Sequence, residues 1–520
     1  MSPLACHSFL SGLLLAGVVS LSSLAPVFAN AADTNGANVR PLRLEECIFT
    51  ALRQNRQLQI ERLTPVIARS QLSSAYGYYD PIFLADAYAQ DSEDPGGFDP
   101  TDFSRDAVYG ADSETAHADL TGFLPWGMSY SVFGNYAHSD GVRNGLNFES
   151  YTSRAGVMLR QRLLRDFWID AGRLTIQINK RNLAITELGV HYVAMDVVNR
   201  VQQAYYELAF AEQNLREQRE FYKLREALLN SVRQRIEAGT LTVLDERLAE
   251  SRLATVAAAV AEAENAVHLA ENELRLVLGA AWTNAADSRL SAADPLVAVP
   301  QQFNLQNSWQ YGLAKRPDLA QLREEVAKAN FDLRFRRNQL FPTFDIVASH
   351  SRKGSSTEQL SPPARPNASF DRAWGQLENN DGPTDQIGFI FSIPLGLSAE
   401  RANFRASKSL KEQAELRVKQ YEEIVMREIT DAHHTARTHL QRVMLTRRAR
   451  ELAESALEAE NQKLIGGKST VFFVLELQSD LAAARAAELR AQADYNRARS
   501  QLQFAEGSLL EHWRMTIEVK

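Results

Sequence analysis

Cysteine is nearly missing from this chain. Two occur in 520 residues, Cys6 and Cys47. Cys6 lies in a leader-like segment, so Cys47 stands alone and an internal disulfide framework is excluded. An excess of positive charge is also missing. Lys and Arg number 57 against 64 Asp and Glu, a net charge of −7, and no basic cluster marks a nucleic-acid surface. Past residue 28 no run approaches 18 apolar residues, so no membrane helix is expected there. A chain that crosses lipid without such a helix must do so as a closed β-barrel, the other structure that satisfies its backbone in hydrocarbon. Catalytic signatures are missing too. There is no H-E-x-x-H, no G-x-S-x-G and no C-x-x-C. Gly467-Lys468-Ser469 looks like the end of a phosphate loop, but the position that needs the first glycine is Gln462. His433, His434 and His439 share one predicted helix, yet His434 and His439 are five apart, poor spacing for ligands on one face. No enzyme, cofactor or metal site is expected.

What is present begins with an apolar run at residues 8–28. It ends in Val27-Phe28-Ala29, a small-residue cleavage pattern, and reads as a secretory signal peptide over 1–29. Cys6 is too early, and no cysteine follows Ala29 closely, so no acylated N-terminus is expected. Leu44, Cys47, Ile48 and Leu52 fall on one side of a short amphipathic helix, which makes Cys47 a core residue.

The longest ordered pattern is a helical hairpin over 170–279. Its first arm carries Val190, Ala194, Val197, Val201, Ala204, Leu208, Ala211 and Leu215, spaced alternately by four and three. Its second arm carries Leu253, Val256, Val260, Ala263, Val267, Ala270, Leu274 and Val277 in the same alternation. These are heptad seams, as in an antiparallel coiled coil, and their many alanines allow close approach. Gly239-Thr240-Leu241 forms the tip between the arms, where glycine stops one helix and threonine caps the next.

Between the leader and that hairpin the period changes. Helices are expected over 42–55 and 57–78. Strands follow from Pro81 to Tyr88 and from Ala116 to Phe123, with an acidic surface loop over 91–114 between them. After the turn Pro125-Trp126-Gly127, Met128, Tyr130, Val132 and Tyr136 alternate with polar residues in a third strand. In a fourth, Ala155, Val157 and Leu159 oppose Arg154, Met158 and Arg160. One apolar and one polar face is what lipid outside and water inside require. A water-soluble sandwich would alternate in the same way.

The plan then restarts. After an irregular connector over 280–303 come helices at 303–314 and 317–340, and a strand opened by Pro342. A polar loop over 351–383 leads to a strand with Ile387, Phe389, Phe391 and Ile393. A second long hairpin covers 399–513, with its tip at Gly467-Lys468-Ser469. The last helix carries a seam of Ala491, Tyr495, Ala498, Leu502, Ala505 and Leu509. Equivalent landmarks recur at matching distances. Gly239 and Gly467 are 228 apart, and Gly156 and Gly388 are 232 apart. The division read from this is a first repeat over 30–279, the connector, a second repeat over 304–513 and a C-terminal end over 514–520. Pro81 and Pro342 are 261 apart, so the first repeat holds about 29 extra residues. That is enough for one additional hairpin around Pro125-Trp126-Gly127.

The order of these elements, with Arg235-Ile-Glu-Ala-Gly-Thr-Leu-Thr-Val-Leu-Asp245 and Leu464-Ile-Gly-Gly-Lys-Ser-Thr-Val-Phe-Phe-Val-Leu-Glu476 at the tips, resembles the TolC-like outer-membrane efflux protein family. Phe341-Pro-Thr-Phe-Asp345 entering a strand and Ile387-Gly-Phe-Ile-Phe-Ser-Ile-Pro394 leaving one add to it. The resemblance covers essentially the whole mature chain. It implies a mainly α protein with a membrane β-barrel, built as a homotrimer whose long helices continue the barrel as a periplasmic tunnel. It implies a periplasmic adaptor docking on Gly239, Thr240, Leu241, Gly467, Lys468 and Ser469, and an inner-membrane pump or exporter beyond it. It also implies a tunnel constriction on the second-repeat tip helix, where Glu476 matches an acidic position and Phe473 departs from one. The expected function is passive conduction out of the periplasm, in efflux or type I secretion. The extra hairpin leaves a barrel of 12 or 18 strands open. The competing reading is a soluble periplasmic coiled-coil scaffold.

Overall fold

The structure is a computed structural model that describes residues 38–94, 109–143, 145–238, 242–279 and 288–515. The expected signal peptide, residues 1–29, and the first tip, Gly239-Thr240-Leu241, lie outside the described residues.

The helices run α1 (Leu44–Gln54), α2 (Arg56–Tyr76), α3 (Ala171–Glu237), α4 (Val243–Leu278), α5 (Leu305–Lys315), α6 (Pro317–Asn338), α7 (Phe370–Asn379), α8 (Ser398–Ile465), α9 (Val471–Glu506) and α10 (Leu509–His512). At 1.5 Å per residue, α3 and α8, with 67 and 68 residues, are each about 100 Å long. Caps set their ends. Asp170 accepts the Arg173 amide at the start of α3, and Gly279 at φ +72° closes α4, a left-handed position that suits glycine.

The α3 seam is buried from Val190 to Leu215. Along α4, Leu253 and Val260 are half-buried, while Val256, Ala263, Val267, Ala270, Leu274 and Val277 are buried. The α9–α10 seam, from Ala491 to Leu509, is buried throughout. Cys47 lies in the same core as the α3 and α4 seams, and burial pushes its thiol up to about 12.

The strands are β1 (Asn38–Leu42), β2 (Ile82–Asp94), β3 (Tyr109–Phe123), β4 (Met128–Arg143), β5 (Leu146–Arg162), β6 (Ser288–Ala292), β7 (Thr343–Leu360) and β8 (Pro383–Ser392). Two departures from expectation concern β1 and β6. They pair in parallel, where the sequence reads as a loose start and an irregular connector. The Tyr205 hydroxyl reaches Leu42 O at 3.1 Å and Asp294 at 3.0 Å, and fixes this clasp against α3.

The other six strands make one antiparallel sheet in the order β2-β3-β4-β5-β7-β8. The hairpin around Pro125-Trp126-Gly127 is therefore a full member of the sheet, as β3 and β4. The strands are also longer than their alternating patterns. Asp91, Glu93, Asp112 and Glu114, read as loop, are paired in the β2–β3 ladder. The polar loop expected over 351–383 is a strand up to Leu360, paired with β5, followed by the unforeseen α7. In those stretches both faces are polar, so the two-residue period disappears from the sequence while the backbone ladder continues.

Candidate functional site

Residues opposite one another in an antiparallel pair share a face, so the register assigns both faces of the sheet. Phe83, Leu120, Val132 and Val157 make one row, which ends in the polar pair His350 and Asp385 on β7 and β8, and Tyr130, Leu159, Ala348 and Ile387 make the row below it. On the opposite face Asp86, His117, Asn135, Arg154 and Lys353 cross five strands in a single row. His117 Nδ1 lies 3.2 Å from Asn135 Oδ1, and Arg154 Nη2 donates to Ser351 Oγ at 3.2 Å. One face thus offers hydrocarbon an apolar belt, and the other offers water polar and charged groups.

Both margins of this sheet are open. In the register β8 pairs β7 along one edge, and all ten of its residues are exposed, with Ile387 83% exposed. The far margin is β2, where Ile82, Phe83 and Leu84 are exposed. With six strands alternating in direction, β2 and β8 run opposite ways.

Helix α7 lies on the apolar-belt side of the upper sheet. Tyr136, which shares that face with Ala116 and Ser153, meets the Phe370 ring edge-on at 5.5 Å. Ser153 Oγ donates to Ala373 O at 3.1 Å, and the Ser369 amide donates to Ser356 Oγ at 3.1 Å. The helix covers serines that would otherwise interrupt the belt.

At the far end of the long helices, the second tip is a tight reversal. Gly467 sits at φ +70°, its amide donating to Leu464 O, while the Lys468 amide donates to Lys463 O at 2.8 Å. This is the double closure that ends helices at a left-handed glycine. Ser469 Oγ bonds to Glu460, which also pairs with Lys463 at 2.9 Å. Across the first tip, Thr242 and Asp245 form a capping box. Asp245 Oδ2 accepts from the Thr242 amide at 3.0 Å and hydroxyl at 2.7 Å, and these bonds hold its carboxyl below the usual range. Two features of the tips escape the sequence reading. Val243 and Leu244 begin α4 exposed, Leu244 at 78%, and Ile465 ends α8 exposed.

On α9 the two proposed constriction residues fall on one face. Val471, Val474, Leu475, Gln478 and Leu481 are buried, which leaves Phe473, Glu476 and Asp480 outward. Phe473 is 56% exposed and stands edge-on to Phe472 at 5.7 Å. The Glu476 carboxylate approaches Arg252 of α4 at 3.9 Å. Asp480 extends the stripe by one turn. Its signal in the sequence was the i, i+4 spacing from Glu476.

Behind this stripe is a buried arginine that the sequence does not single out. Arg225 of α3 donates through Nη2 to Leu475 O at 2.9 Å and Ser479 Oγ at 2.8 Å, and its guanidinium lies 4.8 Å from the Phe221 ring centre. Burial, then the neighbouring Arg252, lowers it to about 10 against the pull of Glu476. Further up, Arg485 bridges α9 to Glu217 of α3 and Glu454 of α8, and Arg490 and Arg497 share Glu207 of α3. Among the described residues no group of three His, Cys, Asp or Glu is placed to hold a metal ion, and no helix is long and apolar enough to cross a membrane.

The sequence pattern of a family described as outer membrane efflux protein matches residues 149–280 and 310–508. The chain is 25% identical over 371 residues to the outer membrane efflux protein BepC of Brucella suis, a match spanning 70% of this chain and 74% of BepC. Its fold is similar to a membrane protein from Pseudomonas aeruginosa, with a TM-score of 0.64, 18% identity and 91% of each chain covered. It is also similar to the open state of the MtrE outer membrane channel of Neisseria gonorrhoeae, with a TM-score of 0.62 and 16% identity over 90% of this chain and 89% of that one.

Proposed function

The chain belongs to the outer membrane efflux protein family, and on that premise we propose how this outer-membrane exit channel is built and gated. The observation that carries the reading is the pair of open sheet margins. Six strands are too few to seal a barrel, since small barrels need about eight. Unpaired edges cannot remain in lipid. Because β2 and β8 run in opposite directions, β8 of one copy can join β2 of the next and keep the whole wall antiparallel. Three copies close a barrel of 18 strands, six from each. The apolar belt then faces lipid, and the row from Asp86 to Lys353 faces the lumen.

The two roughly 100 Å helices prolong that wall into the periplasm. At their far end Phe473, Glu476 and Asp480 of three copies narrow the duct as a hydrophobic collar beside carboxylate rings. Arg225 and the Arg252–Glu476 contact hold α9 against α3 and α4 in the narrow state. The exposed apolar residues at both tips, Val243, Leu244 and Ile465, together with Gly239, Thr240, Leu241, Gly467, Lys468 and Ser469, receive a periplasmic adaptor. An inner-membrane pump or exporter lies beyond the adaptor. Solute passes without any bond being made or broken.

The test is direct. The protein extracted from outer membranes in detergent should run as a heat-modifiable trimer and conduct ions in planar bilayers. A stable, water-soluble single chain would overturn the reading and favour the scaffold.

A further inference from the structure

The rim where the sheet meets the helices holds a pocket that neither conduction nor docking uses. Its volume is about 520 Å³, within the range of ligand clefts. Tyr76 at the end of α2, Tyr79 after it, Trp168 before α3, and Phe331 and Phe335 of α6 supply aromatic walls. Arg173 and Lys180 of α3 and Arg334 of α6 supply charge.

Two observations fix its level at the rim. Tyr78 stacks on Phe123 at 5.2 Å, and Phe123 lies on the polar face of the sheet, one residue out of step with Gly122 and Tyr130 of the apolar face. The next residue, Tyr79, stands edge-on to Tyr78 at 86°, and it is Tyr79 that lines the pocket. Pro125 of the β3–β4 turn closes the top, so the pocket sits immediately below the apolar belt.

Each of the three cations stands over a ring. Arg173 lies 4.8 Å above Trp168, Lys180 5.9 Å above Tyr76, and Arg334 6.0 Å above Phe331. Among the described residues none of the three is ion-paired, whereas the nearby Arg162, Arg181 and Arg336 hold Asp166, Glu324 and Asp332. Asp170 directs Oδ1 to the Arg173 backbone amide as the α3 cap. A neutral lipid would leave this charge unanswered, and a small soluble anion would leave the rings unused. A phosphate joined to hydrocarbon matches both, at the level where aromatic residues gather at a membrane interface.

We propose that this pocket opens on the outer side and binds the phosphate of an anionic phospholipid in the periplasmic leaflet of the outer membrane. Arg173, Lys180 and Arg334 hold the headgroup, and the acyl chains rise along the apolar belt past Tyr130 and Leu120. The proposal rests on the outer-membrane channel reading above.

The test is native mass spectrometry of the detergent-purified assembly, titrated with phosphatidylglycerol or with phosphatidylcholine. The parent should retain phosphatidylglycerol in preference, saturating at three per trimer. The variant R173Q/K180Q/R334Q should lose at least tenfold in phosphatidylglycerol retention while its phosphatidylcholine retention and conductance stay the same. The milder K180Q/R334Q, which keeps the contact of Arg173 with Trp168, should fall between the two and guards against misfolding of the triple variant. Equal retention of the two lipids by the parent, or undiminished phosphatidylglycerol retention by both variants, would overturn the proposal. Failure of the channel reading shows earlier, as absence of a conducting trimer before any lipid is added.

Discussion

Arg160 on β5 directs both Nε and Nη2 to Oδ2 of Asp345 on β7, at 2.7 and 2.5 Å, and Asp345 is fully buried. The pair joins strands from the two halves of the chain on the polar face. Removing the cation strands a buried carboxylate, a loss on the order of 3 kcal/mol. Arg160→Met should therefore lower the temperature at which the heat-modifiable form converts on a gel. The double variant R160M/D345L should recover most of the loss, because it leaves no charge to bury.

Gly354 admits α7 to the wall. A Cβ there would lie 1.7 Å from Ala373 O, with Ser153 Oγ at 3.1 Å. Gly354→Ala should lift the helix from the sheet while the rest of the sheet survives. Limited proteolysis of whole cells is the measurement, with new cleavage over 361–381 as the expected result and the parent pattern as the contrary one.

The α5–α6 corner should be sensitive to acid. Arg316 is buried between Asp318 at 2.6 Å and Glu428 at 2.7 Å, and Tyr421 donates to Asp318 at 2.8 Å. Burial alone would raise the Asp318 carboxyl, but the hydrogen bonds and charge of Arg316 outweigh it and hold the group below its ordinary 3.8. Its stabilisation is thus complete above about pH 4 and is lost as pH falls through the lower folded value. Thermal unfolding followed from pH 6 to pH 3 should show this loss. Asp318→Asn should be less stable at pH 6 by about 3 kcal/mol and should lack that part of the acid dependence.

At the second tip, Phe473→Ala should widen the proposed collar and raise single-channel conductance. Glu476→Gln should remove a ring of charge and reduce cation preference, read from the reversal potential in a salt gradient. If both variants match the parent in conductance and selectivity at every pH, the narrowest point lies elsewhere.

A capping test bears on the first tip. Thr242→Ala removes the hydroxyl that bonds Asp245 and should cost about 1 kcal/mol of local helix stability. Hydrogen exchange along 243–248 should quicken, with little change in the α4 seam near Val267.

The long helices were legible because their seams are regular. Alternate spacings of three and four put Val190 through Leu215 and Ala491 through Leu509 on faces that the structure buries. The wall was legible only where lipid sorts residues by face. Above the belt, Ser355, Ser356, Thr357 and Glu358 are polar on both sides of β7, so the ladder that carries them left no period to read. The β1–β6 clasp joins two five-residue pieces 250 positions apart, too short and too distant for any local signal. Phe473 and Glu476 could be placed on one helix face by their spacing of three. Arg225 could not, because its role depends on the carbonyl of Leu475 on another helix.

The unsealed β8 sets a constraint on biogenesis. A newly made copy carries a ribbon with Ile387, Phe389 and Phe391 uncovered and half its amides unsatisfied, the kind of margin that invites indiscriminate stacking. In the trimer proposed above, that ribbon needs a chaperone or the bilayer surface to shield it until two siblings arrive. Synthesis must then be matched to local crowding of identical chains, and shortage of partners would register as precipitate before it registered as lost transport.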